Sequence, residues 1–148
     1  MTDTAPKRPL SITIISILFI VGSLGNIFTL GKLKFPISIL GIYIFGWFSY
    51  LYTGLISVAS FFTGVGLWRL HERARRIAIG LRSWEMLNII LVYTIPASRA
   101  KLSELLVQKG FSPLDANSVI GGLIGGIMGI ALQLWFLIKR RRAFVHRG

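Results

Sequence analysis

The chain has 148 residues, of which 53% are hydrophobic and only 15% are charged, and it contains no cysteine. A water-soluble domain needs more charge on its surface, whereas helices inside lipid satisfy their own backbone polar groups. The lack of cysteine excludes disulfides and thiolate chemistry. The net charge of +12 does not indicate nucleic-acid binding, because the basic residues lie at the ends of apolar segments rather than along a groove-reading element.

Four apolar runs predict an all-α fold, an integral membrane four-helix bundle with a short amphipathic outer helix. The runs cover residues 9–31, 35–68, 77–95 and 116–138, and only Arg82 and Glu85 interrupt them with charge. A bilayer core of about 30 Å needs roughly 20 helical residues to cross it. We therefore predict a single transmembrane domain over residues 1–148, with spans at about residues 9–31, 43–70, 74–95 and 113–141.

The first run follows a basic lead-in of Lys7 and Arg8, as a secretory signal would. Its apolar stretch exceeds the roughly 7–15 residues of a signal core, so an uncleaved first helix is the favoured interpretation. Pro9 suits the first helical position.

The second run, residues 35–68, is too long for one upright span, since it would reach about 51 Å as a helix. We predict an interfacial lead-in near residues 37–45 and a span from about Gly46 to Leu70. A single strongly tilted helix is the alternative. A tight basic turn at residues 71–76 then leads into the third helix, which Pro96 ends.

Residues 97–111 form the only long connection between the apolar runs. Leu102, Leu105 and Leu106 recur there at helical spacing, which predicts a short amphipathic helix on the membrane surface. Ser112, with Pro113 after it, predicts the N-cap of a fourth helix that runs to about Arg141.

The basic residues predict the orientation. With four crossings both termini lie on one side, which would hold eleven of the 17 Lys and Arg residues, against five on the other side and Arg82 within a span. The positive-inside rule then places both termini in the cytoplasm. The eleven are Lys7, Arg8, Arg69, Arg73, Arg75, Arg76, Lys139, Arg140, Arg141, Arg142 and Arg147.

Arg82 and Glu85 are the least expected residues in an apolar span. Glu85 lies eight residues after Ile77, about 12 Å along the helix and near the middle of the core. Charges at that depth cost at least ~2.5 kcal/mol each and rarely face lipid. The spacing of three predicts an ion pair, and Asn88 continues the polar face. The pair either fixes helix packing, which we favour, or serves as a coupling site for protons or cations.

Small residues and a basic cluster mark the fourth helix. Gly121, Gly125 and Gly129, with a parallel stripe one residue later, predict close packing with another helix, which we expect to be of the same chain. The basic cluster of Lys139, Arg140, Arg141 and Arg142 predicts a topology determinant that contacts anionic lipid headgroups. His71 and His146 are isolated, so no metal site is expected, and no catalytic residues or cofactor motif are found.

Two segments resemble small, uncharacterised bacterial four-span membrane proteins. They are KRPL at residues 7–10, followed by IISILFI at 14–20, and GVGLWRL at 64–70, followed by ARRIAI at 74–79. The resemblance implies four helices in a bacterial inner membrane and no known activity.

We therefore expect an inner-membrane protein that is a structural or accessory component without catalytic activity. Its expected partners are the lipid bilayer, anionic headgroups and other membrane proteins, and not nucleic acid. The alternative is a small proton- or cation-coupled transporter or channel that uses Glu85.

Overall fold

The computed structural model describes residues 9–30, 36–108 and 110–145 of the chain. These residues form six helices and one two-stranded hairpin. In chain order the elements are α1 (Leu10–Leu30), β1 (Ile37–Ile39), β2 (Ile42–Ile44), α2 (Trp47–Trp68), α3 (Glu72–Thr94), α4 (Pro96–Gln108), α5 (Ala116–Lys139) and α6 (Arg142–Val145).

Four of the helices are long and apolar enough to cross a membrane, as the hydropathy pattern predicts. They comprise Leu10–Phe28 within α1, together with α2, α3 and α5. Pro9 lies one position before α1 rather than at its first helical position, and its carbonyl accepts from the backbone N–H groups of Ile12 and Thr13. Large apolar side chains such as Phe28, Phe48 and Met128 are exposed along these helices.

The predicted lead-in before α2 is a β-hairpin, so the single tilted helix is wrong, and so is a span beginning at residue 43. Ile37 pairs with Ile44 and Ile39 with Ile42, and the turn residues Leu40 and Gly41 have φ angles of 52° and 81°. A two-residue turn with positive φ at both positions matches the twist of the strands. The β-branched isoleucines favour strands, but uniform hydrophobicity hid this preference within an apolar run.

The connection between α2 and α3 is shorter than the predicted turn at residues 71–76. Arg69 and Leu70 make the turn, Leu70 with a φ of 59°, and α3 already begins at Glu72. Glu72 accepts hydrogen bonds from Arg75 and Arg76, three and four residues later. Ion pairs three and four residues apart stabilise a helix. They explain why the charged residues at the start of this segment belong to α3 and not to the turn.

The fourth long helix begins at Ala116, so the predicted N-cap at Ser112 is wrong. Asp115 is the N-cap, and its Oδ1 accepts from the backbone N–H of Ser118 at 2.7 Å. An ionised side chain also suits the positive end of the helix better than the Ser112 hydroxyl. The Leu114 N–H donates to the Ser103 hydroxyl at 3.1 Å and ties this segment to α4.

The helices pack in a chain of neighbours: α1 against α2, α2 against α3, and α3 against α5. A cluster of buried apolar residues lies at the end where α2 leads into α3 and α5 leads into α6. It comprises Ile12, Ile15, Phe19, Leu67, Leu70, Ala74, Ala78, Leu137 and Phe144.

Candidate functional site

Arg82 and Glu85 are in direct contact on α3. Nη1 of Arg82 donates a hydrogen bond to Oε2 of Glu85 and forms a salt bridge with it. Glu85 lies 13 residues after Glu72, the first residue of α3, about 20 Å along a helix of about 34 Å. The pair therefore occupies the middle third of a helix long enough to cross a membrane.

The two charged side chains differ in exposure. The Arg82 side chain is 17% exposed, and its guanidinium carbon lies 4.3 Å from the centroid of the Phe19 ring on α1. A cation over an aromatic face is attracted by about 0.5–2 kcal/mol. The Glu85 side chain is 47% exposed. Arg82 thus connects α3 to α1, while Glu85 is the accessible member of the pair.

Asn88 shares the polar side of α3 but contacts a different element. Its Nδ2 donates to the main-chain oxygen of Ser38 in β1 at 2.9 Å. The hairpin is consequently held against α3 three residues beyond Glu85. This contact could not be predicted from the sequence, because the acceptor is a backbone oxygen in a segment whose strand preference was hidden within an apolar run.

A cavity of about 540 Å³ lies beside these residues, within the range typical of ligand pockets. Its walls come from α1, α2, α3 and β1, and Arg82, Glu85 and Asn88 all line it. The other polar lining residues are Ser23, Asn26, Ser38, Tyr52, Thr53, Ser60 and Trp84. Four separate elements therefore contribute polar groups to one space.

Three buried polar atoms around this cavity lack a hydrogen-bond partner within the described part of the chain. They are Nε of Arg82, Oδ1 of Asn88 and Oγ of Ser38. An unsatisfied buried donor or acceptor costs about 1–3 kcal/mol. All three atoms belong to residues that line the cavity, so the wall of the cavity contains unsatisfied polar groups.

Tyr52 and Trp84 are cavity residues that the sequence reasoning missed. The Trp84 indole N–H donates to the Tyr52 hydroxyl at 2.7 Å and joins α3 to α2. The available signal was the residue type, because buried Tyr and Trp usually find a partner for their polar tip. Trp84 also directly precedes Glu85 in the sequence.

The glycines of α5 divide into a packed stripe and an open one. A Cβ on Gly122 would lie 2.5 Å from the Tyr93 hydroxyl, and one on Gly126 would lie 3.2 Å from Cδ1 of Ile89. A Cβ on Gly121, Gly125 or Gly129 would meet no described atom within 4 Å. The contact within the chain therefore uses the parallel stripe, and not the three glycines expected to make it.

The basic cluster of residues 139–142 lies at the end of α5, and its side chains are exposed. Nζ of Lys139 lies 4.3 Å from the centroid of the Trp135 ring. Arg140, Arg141 and Arg142 are exposed. His146 lies outside the described residues. Within residues 9–30, 36–108 and 110–145, no three His, Asp or Glu residues form a group that could hold a metal ion.

Comparisons with protein-family models, with curated proteins and with solved structures found no match for this chain.

Proposed function

We propose that the chain is a multi-pass integral membrane protein that serves as a structural or accessory component and has no catalytic activity. The observation that carries this proposal is that Arg82 contacts both Glu85 and Phe19. The two charged residues in the middle of α3 therefore both help to hold α3 against α1. A charge near mid-membrane costs at least ~2.5 kcal/mol, so pairing is expected of a packing element.

We also propose that the protein lies in a bacterial inner membrane with both termini in the cytoplasm. The excess of basic residues on one side supports this orientation. The contact of Arg75, near the start of α3, with Leu137, near the end of α5, brings two of the basic ends to the same level. Reporter fusions after Gly148 and at Gly110 test the topology, and an external C-terminus would contradict it.

A second candidate function is a small transporter or channel for protons or cations. The polar cavity favours it, because the accessible carboxylate of Glu85 lies on the cavity wall. The small multidrug-resistance transporters are similar to this chain in size and in number of spans. Their essential glutamate lies in the first helix, however, and the first helix of this chain carries no charge.

A Glu85→Gln variant separates the two functions. Both proteins are reconstituted in proteoliposomes with an internal pH-sensitive dye. If the Arg82–Glu85 pair only fixes helix packing, neither the wild-type protein nor Glu85→Gln shows proton flux. A transporter shows flux that Glu85→Gln abolishes and that Glu104→Gln, a control at an exposed residue of α4, leaves intact. Flux lost only in the Glu85 variant would replace the accessory role with the transport role.

A double-mutant cycle tests the packing role directly. Arg82→Leu alone leaves Glu85 without its partner, and Glu85→Leu alone does the same to Arg82. Breaking a pair is more destabilising than replacing both partners with apolar residues. The double variant in detergent should therefore be more stable than the Arg82→Leu variant. Additive losses would show that the two residues do not act as a pair.

A further inference from the structure

A second cavity, a groove between α2 and α3, lies near the turn that joins the two helices. The helices touch beside this turn, where a Cβ on Gly66 would lie 2.5 Å from the Cβ of Ala74. Farther from the turn they leave a groove of about 730 Å³. Phe62 on α2 and Ile77 on α3 form its sides and are 68% and 52% exposed.

The groove reaches from the helix ends into the apolar part of the bundle. Phe62 lies six residues before the end of α2, about 9 Å along its axis, and Ile77 lies five residues after the start of α3, about 7.5 Å. Ala59 extends the wall one turn deeper. The depth corresponds to the outer part of a leaflet, where the acyl chains begin.

Charged residues line the other end of the same groove. Arg73 and Arg76 lie there with His71 and Glu72. The Glu72 carboxylate is already engaged, since it accepts hydrogen bonds from Arg75 and Arg76. Arg73 is exposed, and the Arg76 side chain is 71% exposed. Two arginines line this end against one carboxylate, and Arg75 pairs with that carboxylate from outside the lining, so this end is positively charged.

We propose that this groove binds an anionic phospholipid, with an acyl chain between Phe62 and Ile77 and the phosphate beside Arg73 and Arg76. Apolar walls and a cationic end within about 9 Å match the two chemically different parts of such a lipid. A free phosphate ion would leave the apolar walls uncovered. The inference rests on the proposed membrane location, and it differs from the lipid contact expected at residues 139–142.

The first test compares two pairs of basic residues, one that lines the groove and one on α4. Protein in detergent is titrated with phosphatidylglycerol, and native mass spectrometry counts the bound lipid. Arg73→Gln/Arg76→Gln should weaken binding about 30-fold, which corresponds to about 2 kcal/mol for two arginines near an anionic lipid. Arg99→Gln/Lys101→Gln on α4 removes the same charge outside the groove and should change it less than threefold. Equal losses would overturn the proposal, because net positive charge alone would then explain binding.

The second test keeps every charge and fills the groove. Ala59→Phe should weaken phosphatidylglycerol binding about tenfold, whereas Val58→Phe places the same ring on α2 outside the groove lining and should have no effect. Unchanged binding by Ala59→Phe overturns the proposal. Displacement of the lipid by equimolar inorganic phosphate would also overturn it, since the site would then be a simple anion site.

Flotation with phosphatidylcholine vesicles reports membrane insertion separately. A protein that floats but does not select phosphatidylglycerol refutes the groove and leaves the membrane location intact. A protein that does not float refutes the membrane location itself, and with it the lipid proposal.

Discussion

Arg75 of α3 donates a hydrogen bond from Nη1 to the main-chain oxygen of Leu137 in α5, at 3.2 Å. Arg75 is only 8% exposed and Leu137 is fully buried. Leu137 belongs to the last turn of α5, where carbonyl groups have no partner within the helix. A single arginine therefore satisfies the end of one helix and joins it to the start of another.

We predict that Arg75→Met destabilises the protein more than Arg76→Met does. Both arginines pair with Glu72, but only Arg75 is buried and reaches α5. Loss of its bonds leaves the Leu137 carbonyl unsatisfied, at a cost of about 1–3 kcal/mol. Arg76, with a side chain 71% exposed, should contribute at most about 1 kcal/mol. Thermal unfolding in detergent measures both, and equal shifts would contradict the role assigned to Leu137.

Hydropathy alone predicted the four long helices, because a run of about 20 apolar residues is typical of a helix that crosses a membrane. It also drew attention to Arg82 and Glu85, since charges in such a run are conspicuous. The Arg75–Leu137 contact could not be predicted, as it joins residues 62 positions apart through a backbone oxygen.

The hairpin and the N-cap of α5 were not predicted, because the local sequence fits more than one structure at each place. The isoleucines of residues 37–44 satisfy a hydropathy pattern whether they are helical or extended. Ser112 and Asp115 are both good N-caps, and only the register of α5 decides between them. The cavity needs side chains from α1, α2, α3 and β1 at once, which no single run reveals.

Gly64 allows α1 and α2 to approach closely, and we predict that Gly64→Ala is destabilising. A Cβ there would lie 2.7 Å from Cγ1 of Ile20, and 3.0 Å from both Cβ of Phe19 and the main-chain oxygen of Ser16. Backbone must move to admit it, and overpacking of this kind costs about 1–3 kcal/mol.

Gly54→Ala on the same helix is the matched control for Gly64→Ala. A Cβ at Gly54 meets nothing within 4 Å. Gly54→Ala should therefore stabilise the protein by up to about 1 kcal/mol, because alanine has the higher helix propensity. Circular dichroism during heating should show opposite shifts for the two variants. A stabilised Gly64→Ala would show that α1 and α2 are not in close contact there.

The two glycine stripes of α5 give a third prediction. Gly122→Ala should lower the unfolding temperature, because the new Cβ would lie 2.5 Å from the Tyr93 hydroxyl and Tyr93 would have to move. Gly121→Ala should be neutral or stabilising in the monomer, where nothing opposes it. If Gly121→Ala instead destabilises only in bilayers and only at high protein concentration, the open stripe packs against a second copy.

Asp115 gives a prediction of pH dependence. Hydrogen bonds from the Ser118 hydroxyl and backbone N–H lower the pKa of the Asp115 carboxyl below its ordinary value. A carboxyl whose pKa is lower in the folded state stabilises the fold above its unfolded pKa, and this contribution is lost as the pH falls through the folded pKa. The unfolding temperature should therefore decrease on acidification below about pH 4 in part through this residue.

Two variants at this position separate the charge from the cap. Asp115→Asn keeps an N-cap side chain that accepts from Ser118 but cannot titrate, so it should retain most of the stability at pH 7 with a smaller loss in acid. Asp115→Ala removes the cap, and it should lower the unfolding temperature at pH 7 and also reduce the acid dependence. Identical acid profiles for the wild-type protein and Asp115→Asn would show that the charge of Asp115 does not stabilise the start of α5.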